Sequence, residues 1–163
     1  MTLFNLIGHW FWLLCLLFGL FNYRRASGEA RVRFAGDPQR GAAAERLLRL
    51  FATFNALPWL VMGVGVLLGG VPGVWNYFRP QDGNPFVLAW LAAIFGVSLA
   101  FAVFVFAFDG AAKMVEYGVS SMFGDRGRAP KSARTIKLMA AAGPFFIVFW
   151  IGLVVTMNAP MPR

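Results

Sequence analysis

Residues 86–108 read FVLAWLAAIFGVSLAFAVFVFAF, 23 positions without a formal charge. The run is apolar on every face. A bilayer core of ~30 Å is crossed by about 20 such residues in a helix. Transmembrane strands are ~10 residues long and alternate polar with apolar positions. Lipid also offers no partner to free backbone N–H and C=O groups, so a run of this kind is helical. Three further runs share its character: Leu3 to Tyr23, Leu50 to Gly70 and Leu138 to Met157.

The composition of the whole chain agrees. Of 163 residues, 59% are hydrophobic and only 13% are charged, where a soluble domain carries ~25% charge. A disordered chain has the reverse balance. The expectation is therefore an all-α membrane protein: one integral domain over residues 1–163, built as an antiparallel four-transmembrane-helix bundle. The first run is too long for a signal peptide and lacks a basic leading region. It is read as an uncleaved anchor whose N-terminus is translocated.

The net charge of +8 would point to nucleic acid in a soluble protein, but here its placement points to orientation. The segment 24–49 holds seven arginines (Arg24, Arg25, Arg31, Arg33, Arg40, Arg46, Arg49). The segment 109–137 holds Lys113, Arg126, Arg128, Lys131, Arg134 and Lys137. The loop 71–85 has only Arg79 among its basic residues, and the C-terminal tail only Arg163. The positive-inside rule puts the two basic segments in the cytoplasm and both termini outside. The expected address is a bacterial-type inner membrane, with anionic inner-leaflet lipids against the basic face and no nucleic acid. Trp10, Trp12, Trp75, Tyr77 and Trp90 are expected as anchors at the outer interface, where rings with one polar end prefer to lie.

Helices 2 and 3 are expected to extend into the cytoplasm. Residues 42–49 (AAAERLLR) favour helix, with Glu45 and Arg49 in the favourable i,i+4 order. Beyond Phe108, Asp109 to Lys113 and Lys113 to Glu116 have helical pairing distances, so helix 3 is read as continuing toward Gly124. Within the membrane, association relies on close packing of small residues. Candidates are Gly65 and Gly69 on helix 2, and the row Ala92, Gly96 and Ala100 on helix 3. Pro58 and Pro144 each remove an N–H and are read as kinks.

Residues for chemistry are few. His9 is the single histidine and cannot by itself make a conventional two-histidine metal site. Cys15 stands alone, so no intrachain disulfide forms. The mid-membrane polar set is Asn55, Ser98 and little else, without the acidic relay of a proton-driven transporter. Nucleophile-elbow, zinc-protease and P-loop motifs do not occur.

One order of residues resembles a known family. His9, then Gly19-Leu20-Phe21, then Arg25, is similar to the start of the small four-helix haem-binding protoporphyrinogen oxidases of bacteria. The resemblance implies His9 as a haem ligand. It spans His9 to Arg25 alone. The family's fourth helix carries an Arg, an Asn-Glu pair and a Pro close together, whereas this chain has Arg134 and Pro144 without that pair. The likeness is one of topology. The expected function is a non-enzymatic accessory, assembly or scaffold subunit of a membrane complex, associating with another membrane protein or with itself. The alternatives are an oligomeric channel or membrane-permeabilising protein, and a haem- or quinone-linked redox protein using His9. No cofactor is expected under the first reading, and haem under the last.

Overall fold

A computed structural model of the chain describes residues 3–119 and 132–156. Among them there is no strand. Five helices follow one another: α1 (Leu3–Arg33), α2 (Pro38–Leu67), α3 (Pro85–Ala107), α4 (Gly110–Glu116) and α5 (Ala133–Thr156). Four of these, α1, α2, α3 and α5, are long and apolar enough to cross a membrane.

Each start follows from local chemistry. Asp37 caps α2 by accepting a hydrogen bond from the Arg40 N–H at 3.0 Å, and Pro38 takes the first helical position, where its missing N–H costs nothing. Asn84 and Pro85 repeat the device on α3, the Asn84 side chain accepting from the Phe86 N–H at 2.9 Å. Ser132 accepts from the Thr135 N–H at 3.2 Å ahead of α5. Both α2 and α5 run on as helix through Pro58 and Pro144.

The helices are laid side by side in chain order. α1 packs along α2, α2 along α3, and α3 along α5, while α1 and α5 share no extended contact. Two cores form, one toward each end of the helices. At the basic end, Ala26 and Ala30 meet Ala44, Leu47 and Leu48, with Val105, Met114 and Ile136 closing over them. At the other end, the loop end, Met62, Val66, Tyr77, Val87 and Trp90 form the second core.

The extended helices are α1 and α2, not α2 and α3. With 31 and 30 residues, each is about 45 Å long at 1.5 Å per residue, well beyond a ~30 Å bilayer core. Helix 3 instead stops at Ala107, correcting the expected continuation past Phe108. Asp109 adopts a left-handed backbone (φ 52°), a conformation Asp tolerates better than most residues. The Phe104 ring lies over Gly110 where a Cβ would stand. The chain then returns as α4, which buries Ala111 and Met114 in the basic-end core. Glu116 is consequently not paired with Lys113 but with Arg40 of α2, at 2.9 Å.

Candidate functional site

The loop end is built around the second core. Residues 68–84 do not lie flat along the helix ends. They fold back through two short 3-10 turns, Val74–Phe78 and Pro80–Asp82, and touch α1, α3 and α5. Tyr77 is fully buried, and its phenol donates to the Met62 carbonyl of α2 at 2.9 Å. That depth is possible because Gly65 has no side chain: a Cβ there would strike the Tyr77 hydroxyl and stand 2.9 Å from the Phe86 Cβ. Burial pushes the Tyr77 phenol up to about 12, so it remains a donor at all physiological pH.

Rings continue the cap across the row. Tyr77 and Trp90 meet edge to face with centroids 5.2 Å apart, and Trp90 and Phe78 meet Trp150 of α5 at 6.1 and 5.8 Å. Two of the five expected interface anchors, Tyr77 and Trp90, are thereby core residues, Trp90 being only 4% exposed. Trp12 and Trp75 are half-buried, and Trp12 lies against Gly63, its ring 2.6 Å from where a Cβ would be. Trp10 remains 41% exposed. The physical reason is compositional: the loop supplies glycines and prolines that let the backbone approach, so the aromatics find protein rather than lipid.

His9 belongs to this cap. Its Nδ1 lies 3.2 Å from the Pro72 carbonyl oxygen. A carbonyl only accepts, so in this contact the ring donates from Nδ1. Gly73, next in the loop, sits so close that a Cβ on it would be 3.2 Å from the Gly8 carbonyl carbon. The imidazole therefore fastens α1 to the loop. Among the described residues no group of three or more His, Cys, Asp and Glu side chains converges.

The expected packing residues divide. Gly65 takes part in the close approach just described. Gly69 serves as a left-handed position (φ 73°) where the chain leaves α2, with open space beside it. On α3, Ala92 is exposed, Ala100 half-buried, and no atom lies within 4 Å of where a Gly96 Cβ would stand. Ala92 and Gly96 thus face away from the rest of the described residues. Away from this row, α3 meets α5 through Trp90 against Trp150 and through Ser98, whose hydroxyl would be 3.0 Å from a Cβ on Gly143. Asn55 of α2 is likewise exposed, packed beside Gly19 of α1, and its amide has no hydrogen-bond partner among the described residues.

At the basic end several arginines are tied to carboxylates. Arg25 pairs with Glu29 at 3.8 Å, and Arg31 and Arg49 with Glu45 at 3.5 and 3.6 Å. Exposed pairs such as these contribute ~0–1 kcal/mol each; Arg31–Glu45 links α1 to α2, and Arg40–Glu116 links α2 to α4. Arg24 is exposed, and the Arg33 guanidinium lies beside Gly118. Arg134 and Lys137 stand exposed on the first turns of α5 without an ion pair among the described residues. Arg126, Arg128 and Lys131 lie outside the described residues.

Comparison with protein families, characterised proteins and solved structures finds no match to this chain.

Sequence reasoning missed the Tyr77 clamp and the α3–α4 turn. Signals for both exist: a tyrosine in a loop rich in Gly and Pro, and an Asp-Gly pair at the end of an apolar run.

Proposed function

We propose that this chain is a non-enzymatic accessory, assembly or scaffold subunit of a membrane complex. It resides in a bacterial-type inner membrane as an antiparallel four-span bundle, with both termini and the loop end outside and the basic end in the cytoplasm. The observation that carries the reading is the uncovered row on α3. Exposed Ala92 and open Gly96 leave a strip of bare backbone in the middle of an apolar helix. Close backbone approach over small residues is how helices associate in lipid, where the hydrophobic effect supplies no drive. Exposed Asn55 on α2 adds an unused hydrogen-bonding amide inside an apolar run, and such groups join helices in membranes.

Tagged full-length protein, extracted from its native membrane in mild detergent, is expected to bring down a stoichiometric membrane partner. Gly96→Leu is expected to lower that recovery at least tenfold, because a Leu side chain holds the helices apart by more than a close contact allows. A single-copy particle with no partner in repeated extractions would overturn the proposal.

The orientation has its own test. In a Cys15→Ala background, a cysteine replacing Asp82 is expected to react with an impermeant maleimide on intact cells. One replacing Ser132 is expected to react only after the membrane is opened. The reverse pattern would invert the topology.

A further inference from the structure

A shallow groove of about 450 Å³ lies at the basic end, between the last turn of α3 and the first turns of α5. Phe106, Ala133, Leu138 and Ala141 give it an apolar floor, and Arg134 and Lys137 stand over it. We propose that this groove binds one anionic glycerophospholipid, its phosphate between Arg134 and Lys137 and an acyl chain along Phe106, Leu138 and Ala141.

Charge complementarity identifies the occupant. Arg134 and Lys137 are three apart on a helix and so share a face. Among the described residues no carboxylate lines the groove. Arg25, Arg31, Arg40 and Arg49, by contrast, each face an acid. Among the described residues the two cations thus have no carboxylate partner, which suits them to an external anion. The first turn of the 24-residue α5 adds the positive end of its backbone dipole at the same place.

Depth identifies the occupant as a lipid rather than a free phosphate. Lys137 is the residue just before the uncharged run that starts at Leu138. The cations therefore stand at headgroup level and the floor reaches toward the acyl region. A zwitterionic lipid offers the same chains but sets its own cation beside the two from α5. An inorganic phosphate leaves the apolar floor unused.

The test is native mass spectrometry of the full chain in detergent, titrated with dioleoyl phosphatidylglycerol, dioleoyl phosphatidylcholine or inorganic phosphate. The wild-type protein is expected to retain phosphatidylglycerol in preference to phosphatidylcholine. The R134Q/K137Q variant should bind it about thirty-fold more weakly, as two interfacial cations predict. Ala141→Phe, which fills the floor without changing charge, should weaken it as well. A control variant, R24Q/R46Q, removes two exposed cations outside the groove and should stay within about twofold of wild type. Equal retention by R134Q/K137Q would overturn the proposal, as would equal binding of phosphatidylcholine. Competition by inorganic phosphate with no effect of Ala141→Phe would assign the cations to a soluble anion instead. Binding in detergent needs neither a partner nor a defined sidedness, so its failure leaves the scaffold reading and the orientation standing.

Discussion

Gly65→Leu is expected to unseat the whole loop end. A side chain at Gly65 takes the space of the Tyr77 hydroxyl and presses on Phe86. Both neighbours are held from behind, Tyr77 by Trp90 and Phe86 by the start of α3. Overpacking of this kind costs up to about 3 kcal/mol, and the lost bond to the Met62 carbonyl adds about 1 kcal/mol. The matched control is Gly96→Leu, which meets open space. It should leave the isolated chain unharmed or stabilise it by up to about 1 kcal/mol, since Leu is the better helix former. Thermal unfolding of the two variants in the same detergent, followed by tryptophan fluorescence, separates them. Equal melting temperatures would mean that Tyr77 does not sit against α2.

Tyr77→Ala should be at least as damaging. It empties a fully buried aromatic site, for which truncation costs about 3–5 kcal/mol. Tyr77→Phe keeps the ring and removes only the bond to Met62, at about 1 kcal/mol. The pair also gives a pH signature. The phenol titrates near 10 when unfolded and is pushed up to about 12 in the folded chain. Between those values the folded state keeps a proton that the unfolded state has lost. The contribution of Tyr77 is therefore fully present below about pH 10 and falls as pH rises toward 12, by about 1.4 kcal/mol per pH unit. Tyr77→Phe should lack this added slope. Denaturation curves of the wild type and Tyr77→Phe between pH 9 and 12 measure it directly, and parallel curves would count against the burial.

These two variants also mark how far residues can be read without a fold. That α2 contains small residues suited to close packing was legible, since Gly63, Gly65 and Gly69 stand in one apolar run. Which of them would be covered was not. Spacing places Gly65 and Gly69 on one face, yet Gly65 lies under Tyr77 and Gly69 is open. The difference is made by residues 68–84, whose path depends on Val71 donating its N–H to the Gly65 carbonyl at 3.1 Å and Asn84 donating to the Gly70 carbonyl at 2.7 Å. Tyr77 and Trp90 show the same limit. Their chemistry suits the headgroup layer, but a loop that folds inward packs them against protein. His9 was legible as an ionisable group near a helix end, while its contact with Pro72 is separated by 63 residues of chain.

The basic end repeats the lesson with charges. Glu45 and Arg49 are paired as their spacing suggests, at 3.6 Å, but Glu45 also receives Arg31 from α1. Glu116 abandons its local partner for Arg40, 76 residues away, because the turn at Asp109 and Gly110 redirects the chain.

By itself, the sequence determined that this is a helical chain with four segments able to cross a membrane. That information is local, because in lipid each segment must satisfy its own backbone and can do so only as a helix. The tertiary structure alone decided which apolar faces are consumed. It closed the loop end over Gly65 and turned α3 back at Asp109. It also left Gly96 and the groove of Arg134 and Lys137 open. Apolar side chains are as compatible with lipid as with one another, so nothing in their pattern distinguishes a covered face from a bare one until the chain's close contacts are in place.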